Sequence, residues 1–326
     1  MTKISYHASH EQFSPGELLR LVQRAERAGF AGAMSSDHFQ PWSEQQGHSG
    51  FAWSWVGAAM QATALTFGVV NAPGQRYHPA IIAQAAATLA EMFPDRFWVA
   101  LGTGQNINET ITGERWPPKE ERNARLAECV DIIRALWRGE VVTHRGRVVV
   151  EEARLWTLPS RAPRIVGAAL TPPTAAWVGS WADALITTWR PRAELEEMID
   201  AFRRGGGDGK PLLLKLQVSY DVDDQAARRG AWEQWRTALC PPGVLEDLSQ
   251  VAQLDALGAL IEPARMDAGV FISSDPARHT ECLAQIAELG FEEIVVHNVN
   301  RSQERFIDVF GERVLPRFAA DQERHL

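Results

Sequence analysis

The feature that most constrains this 326-residue chain is an alternation, repeated about eight times, of short apolar runs with amphipathic segments. The runs are KISYHA (3–8), the stretch 32–36, TFGVVN (66–71), FWVALG (97–102), RIVGAA (164–169), ALITTW (184–189), PLLLKLQVSY (211–220), VFISS (270–274) and EEIVVHNV (292–299). Between them, near 14–29, 54–64, 79–92, 120–138, 172–181, 192–204, 223–236, 276–289 and 302–318, apolar residues recur at helical spacing. The first helix opens with Ser14-Pro15-Gly16-Glu17, a capping-box spacing with Pro at the first helical position, and stops at Gly29. Strands that are apolar on both faces belong to a parallel sheet covered by helices. Eight units favour closure into a TIM (β/α)8 barrel over a doubly wound open sheet, although the pattern accommodates both. The expectation is an α/β fold of one domain over 1–326, with loop insertions at the C-terminal face of the barrel. VVTHRGRVVV predicts a hairpin excursion near 141–158, and the helical, loop-rich stretch near 238–268 a second insertion.

Charge and cysteine content narrow the function classes. The net charge is −8 and no dense Lys/Arg run occurs, which argues against a nucleic-acid partner. No stretch approaches the roughly 20 apolar residues of a membrane span. The start MTKISYHASHEQF lacks the apolar core and cleavage site of a signal peptide. Cys129, Cys240 and Cys282 form no CxxC and no even framework. A cytoplasmic enzyme fits these facts. Twelve Trp against three Tyr hints at aromatic-lined pockets.

In a barrel the chemistry sits in the loops after the strands, and those at 37–53 and 103–119 are the longest and richest in polar and aromatic residues. In Ser36-Asp37-His38-Phe39-Gln40-Pro41-Trp42, Asp37 could orient the His38 imidazole and leave a ring nitrogen for proton transfer. Alternatively, Asp37 caps a turn and His38 is a half-buried loop residue. Trp42 could wall a flat ligand or simply cover the barrel top. In Gly102-Thr103-Gly104-Gln105 the glycines permit close backbone approach, and Thr103 and Gln105 could hydrogen-bond a planar heterocycle; a plain glycine turn is the alternative. No GxGxxG opens a helix here. Gly205-Gly206-Gly207-Asp208-Gly209-Lys210 precedes a strand and has the wrong spacing for a phosphate loop, so it reads as a connector. His78-Pro79 reads as a helix cap. Metal ligation has no supporting cluster, with neither HExxH nor Cys/His spacing, and no GxSxG elbow points to a hydrolase.

SDHFQPW, APGQRYHPAIIAQAAATL and ALGTGQNINE followed by WPPKEERNARLAE resemble the luciferase-like monooxygenase superfamily, in the branch around F420-dependent glucose-6-phosphate dehydrogenase. The resemblance runs nearly end to end, through ISSDPARH and VVHNVNRSQERFIDVFGERVLPRF. It implies a TIM barrel binding FMN or coenzyme F420 at the strand C-terminal face, a small-molecule substrate, homodimers, and a separate flavin reductase if the enzyme is a monooxygenase. It places the catalytic His on His38, the Glu after the first strand on Glu11, and Trp42 over the substrate. On the cofactor it places Asp37, Val69, Val70, Ala72, Thr103, Gly104 and Asn108, with a cis peptide between Val69 and Val70.

Departures from the family pattern are as informative. The second catalytic carboxylate of the sugar-phosphate enzymes falls on Gln105, which cannot exchange a proton as a carboxylate does. Their three phosphate-holding basic residues fall near Pro191, Gln253 and Gly269. Arg190 or Arg192 could replace the first, beside Thr188 on the substrate side. A Gly-Gly turn facing the cofactor phosphate becomes Leu170-Thr171, where Thr171 or Thr174 at a helix start could still hold a phosphate. The sequence thus predicts hydride transfer between a flavin or deazaflavin and a small organic substrate other than glucose 6-phosphate. With the phosphate clamp lost and the aromatics kept, a neutral or hydrophobic substrate is the expectation. An FMN-dependent monooxygenase and a non-catalytic flavin-binding protein are the alternatives.

Overall fold

The computed structural model describes residues 2–319. Its strands are β1 (Lys3–His7), β2 (Gly32–Ser36), β3 (Thr66–Asn71), β4 (Phe97–Leu101), β5 (Val142–Arg145), β6 (Val149–Ala153), β7 (Arg164–Ala168), β8 (Ala184–Thr188), β9 (Leu212–Ser219), β10 (Phe271–Ile272) and β11 (Glu293–Asn298). Strands β1, β2, β3, β4, β7, β8, β9 and β11 follow one another around a closed parallel barrel, sealed by β9 against both β8 and β11. This is the expected TIM-barrel architecture, and β5 and β6 form the expected antiparallel hairpin outside it.

The helices are α1 (Pro15–Ala28), α2 (Ala52–Ala62), α3 (Pro79–Met92), α4 (Asn106–Glu109), α5 (Lys119–Trp137), α6 (Pro172–Gly179), α7 (Arg192–Phe202), α8 (Asp224–Trp235), α9 (Pro242–Asp247), α10 (Val251–Gly258), α11 (Pro276–Ala287), α12 (Gln303–Arg313) and α13 (Pro316–Ala319). Local chemistry sets their ends. Ser14 Oγ accepts the Glu17 amide at the start of α1, and Gly29 ends the helix in the left-handed region at φ 96°. His78 caps α3 as expected, its ring nitrogen accepting from the Ala80 amide. The Gly205–Gly207 run lies where α7 passes α6, and a Cβ on Gly205 would sit 1.9 Å from the Ala176 carbonyl oxygen. That close approach accounts for the glycines without a phosphate.

Two expectations need correction. VFISS forms only the two-residue β10, which pairs with Val218 and Ser219 of β9. The pairing of β8 with β9 reaches only to Lys215, so β9 overhangs the barrel and β10 borders the overhang without entering the barrel wall. The Val69–Val70 peptide, expected cis, is trans, and no cis bond occurs among the described residues. Val69 and Val70 keep register with Ser35 and Ser36 on one side and with Val99 and Ala100 on the other, and both ladders hold the chain extended.

Side chains alternate between the helix layer and the lumen. Outward residues such as Tyr6, Phe67, Leu101, Leu214 and Val296 join the helices in the main core. Inward, Met34, Trp98, Ala100, Val166, Ala184, Ile186, Leu213 and Val295 form an apolar plug. Trp98 lies flat over Gly68, where a Cβ would come within 2.1 Å of the indole. Below the plug, a cavity of about 580 Å³ opens at the N-terminal end, but its Arg134, Arg161 and Arg164 are already paired with Asp183, Asp95 and Glu292. Above the plug the lumen turns polar. Gly68→Ala should destabilise the protein by about 1–3 kcal/mol through overpacking, read as a lowered urea midpoint. An unchanged midpoint would mean that Trp98 has another place to go.

Candidate active site at the C-terminal mouth of the barrel

Glu11, after β1, and His38, after β2, meet at the mouth. Glu11 Oε1 lies 2.5 Å from His38 Nδ1, and Ser9 Oγ donates to Glu11 Oε2 at 2.7 Å. Burial opposes the Glu11 charge, but the His38 and Ser9 hydrogen bonds and nearby Lys215 outweigh it and hold the carboxyl well below the usual range. An ionised Glu11 accepts the Nδ1 proton and leaves His38 Nε2 as the free acceptor. Trp42 stands edge-on to His38, with ring centroids 5.1 Å apart. The orienting partner of His38 is therefore Glu11.

Asp37 is occupied elsewhere. Its Oδ2 accepts from Asn71 Nδ2 at 2.9 Å and lies 3.5 Å from the Arg76 guanidinium, which also donates to the Asp37 carbonyl at 2.6 Å. Arg76 reaches on towards Glu109, with 3.8 Å between Nε and Oε1. Burial dominates at Glu109 and pushes its carboxyl up to about 7, despite the opposing pull of Arg76. Glu109 packs beneath Gly104, whose φ of 75° and lack of a Cβ leave room for it. Asn71, Arg76 and Glu109 were not singled out from sequence. Glu109 follows GTGQ closely, Arg76 lies within APGQRYHPAIIAQAAATL, and Asn71 is the last residue of the third strand, the signals that could have flagged them.

Asn108 Oδ1 accepts the Phe39 and Gln40 amides at 2.8 and 3.0 Å and so ties the loop after β4 to the loop after β2. Gln105 begins α4, and its carbonyl accepts the Asn108 and Glu109 amides. Thr103 Oγ1 accepts from Lys119 Nζ at 2.9 Å, which brings a further cation to this side of the mouth. Buried Val69 and half-buried Val70 end β3, with Ala72 half-buried just after it. The Oδ1 atoms of Asp37 and Asn71 and the Nδ2 of Asn108 are buried without partners. The imide edge of a flavin or deazaflavin ring carries one N–H between two C=O groups, so one of these acceptors and the Asn108 amide would match part of it, with one further donor still required.

The start of α6 suits a phosphate less well. Pro172 and Pro173 have no amide proton, the Thr174 amide is given to Thr171 Oγ1, and the Ala175 amide to the Thr171 carbonyl. Thr171 and Thr174 offer hydroxyls, paired at 2.9 Å, and Leu170 beside them is exposed. On the substrate side, Thr188 ends β8. Arg190 is half-buried with an unpartnered Nε, whereas Arg192 points outward into ion pairs with Glu196 and Glu288. Arg192 is thus unavailable to a substrate, because α7 carries it to the outer surface. Among the described residues no group of three or more His, Cys, Asp or Glu is placed to hold a metal ion, and no helix is long and apolar enough to cross a membrane.

The family model described as luciferase-like monooxygenase matches residues 1–293. The F420-dependent glucose-6-phosphate dehydrogenase of Nakamurella multipartita is 34% identical, over 98% of this chain and 97% of its own. A solved F420-dependent secondary alcohol dehydrogenase, in complex with an F420-acetone adduct, superposes with a TM-score of 0.89 at 29% identity, covering 97% of this chain and 98% of its own. The F420-dependent tetrahydromethanopterin reductase of Methanopyrus kandleri shares the fold, with a TM-score of 0.79 at 18% identity over 97% and 99% of the two chains.

The buried histidines set an acid limit. Burial lowers His10 and His279 to about 4, and His7 and His297 fall well below their ordinary value. The stability that their neutral forms contribute is complete above the unfolded value near 6.5 and is lost as pH falls towards 4. Glu109 acts with the opposite sign, since its raised value costs stability as pH rises from about 4.5 to 7. Glu293, also raised by burial, acts in the same sense as Glu109, and the four histidines outweigh both glutamates. Unfolding near pH 5 should take up at least about two protons, a loss of about 3 kcal/mol per pH unit. Urea midpoints measured from pH 7 to 5 test this, and a flat profile would mean that these histidines are charged in the fold.

Proposed function

Because this chain belongs to the luciferase-like monooxygenase family, we propose that it is a deazaflavin-dependent oxidoreductase that moves hydride between the cofactor ring and a small alcohol or carbonyl substrate. The observation that carries this reading is the Glu11–His38 pair, with its 2.5 Å contact and free Nε2 at the barrel mouth. The F420-dependent names of its relatives support the cofactor class. A glucose-6-phosphate substrate is disfavoured by the residues at the three clamp positions. Pro191 carries no charge, Gln253 is spent in the capping box of α10, and Gly269 has no side chain.

The bound ring would supply the two-electron acceptor or donor. Asp37 or Asn71, together with Asn108, would hold part of its imide edge, and Thr103 and Gly104 would border it. In alcohol oxidation His38 Nε2 would take the substrate O–H proton, and in carbonyl reduction it would return that proton to the oxygen, while the bound ring would supply the hydride acceptor or donor. Glu11 keeps the imidazole in the productive tautomer and stabilises its protonated form. Trp42 shields the reacting atoms. Gln105 holds a polar group without ionising.

Between F420 and FMN, the Pro172–Pro173 start of α6 favours the former. A phosphodiester carries one charge, whereas the phosphomonoester of FMN carries nearly two and demands more donors. Fluorescence titration with each cofactor tests that choice, and tighter FMN binding would reverse it and bring oxygen chemistry with a separate reductase forward. His38→Ala should cut kcat by about 10²–10⁴-fold while leaving cofactor affinity within a factor of two. Glu11→Gln should lower kcat through the wrong tautomer. Full turnover by His38→Ala would end the assignment of His38.

A further inference from the structure

One cation in the lumen is not used by this mechanism. Lys215 lies in β9, paired with Thr188 of β8 and Val295 of β11. Val295 and, two residues below Lys215, Leu213 belong to the apolar plug, so strand alternation turns Lys215 into the lumen on top of that plug. His297 on the neighbouring β11 and His7 on β1 beyond it have rings 4.3 Å apart, and the Nδ1 atoms of both are buried without partners. Trp235 closes the side, with its ring 5.4 Å from Lys215 Nζ and 4.7 Å from the His297 ring.

No carboxylate lies within 4 Å of Lys215 Nζ among the described residues, and the ammonium makes no hydrogen bond there. The charged or titratable groups that interact with it are Glu11, His7 and His297. Glu11 is already held by His38 and Ser9. Lys215 is half-buried. A partly desolvated cation with three donors and no counter-ion in contact, on the side of the plug that carries Glu11, is an incomplete ion pair.

We propose that Lys215 binds a carboxylate of the substrate, so that the site described above acts on small hydroxy acids and their oxo counterparts. This rests on the hydride-transfer reading for its chemistry but not for its binding. A single ammonium, without an arginine fork or a nest of amides, matches one carboxylate better than a phosphate dianion. Thr188, its register neighbour, is placed to add a hydroxyl donor. The clamp missing from the rim is thus answered by one charge on the floor, and the expected preference for neutral substrates is reversed.

The test is calorimetric binding to the full chain, with and without its cofactor. Lactate, 3-hydroxybutyrate and mandelate are compared with propane-1,2-diol, butane-1,3-diol and 1-phenylethane-1,2-diol. At pH 7 at least one acid should bind about tenfold or more tightly than its diol, and Lys215→Met should remove that difference while Lys215→Arg keeps most of it. Burial lowers Lys215 to about 8, so acid binding at pH 8 should take up a fraction of a proton and should weaken above that pH. Equal affinity for acid and diol, acid binding unchanged in a folded Lys215→Met protein, or no acid binding at all would each overturn the proposal. His38→Ala separates the two readings, since it should cut turnover by about 10²–10⁴-fold and leave acid binding intact. Turnover of neutral alcohols alone would overturn the carboxylate site and spare the hydride transfer.

Discussion

The site depends on keeping one carboxylate ionised inside the protein. Burial alone would neutralise Glu11 by making its charge too costly. Two hydrogen bonds, from His38 and Ser9, and the positive charge of nearby Lys215 reverse that cost. Each partner comes from a different segment of the barrel: Ser9 from the loop after β1, His38 from the loop after β2, and Lys215 from β9. The pairings among these strands are therefore what give the imidazole its orientation, and the fold and the acid–base chemistry rest on the same contacts.

The lumen divides along its axis for a related reason. Its lower part is filled with Trp98, Met34, Ile186, Leu213 and Val295, which exclude water and fix the spacing of the wall. Directly above, the inward positions become His7, Ser36, Thr188, Lys215 and His297. An apolar floor beneath a polar ring lowers the local dielectric without closing the ring to a ligand. In that setting two neutral histidines, a cation and an anion interact strongly over short distances.

Much of the barrel was legible because apolar runs and helix caps are local signals. Ser14, Gly29 and the His78-Pro79 start behave in the fold as their neighbours in sequence dictate. VFISS misled because a short apolar run reads alike whether it joins a barrel wall or borders an overhanging strand. In the site, His38 and Glu11 were found through a resemblance; spacing alone pointed to Asp37 as the orienting group. Residues next in sequence to a histidine need not be next to it in space. Asp37 is taken by Asn71 and Arg76, which no pattern in the chain links to it. Lys215 was hidden more thoroughly, inside a run of leucines that reads as pure core.

That concealment bears on how substrate range changes on such a scaffold. A rim clamp of several basic side chains holds an anionic group far from the reacting carbon and selects long substrates. At the three clamp positions this chain has Pro191, Gln253 and Gly269, and none can attract an anion. A floor cation acts at shorter range. If Lys215 takes a substrate carboxylate as proposed, that anion would have to be joined to the reacting carbon by few bonds. On the proposed roles, moving one charge from the loops to an inward strand position would shorten the substrate without altering the proposed proton-transfer pair or the residues proposed to hold the ring. Loops then remain free to vary, while the strand register fixes where that charge meets its ligand.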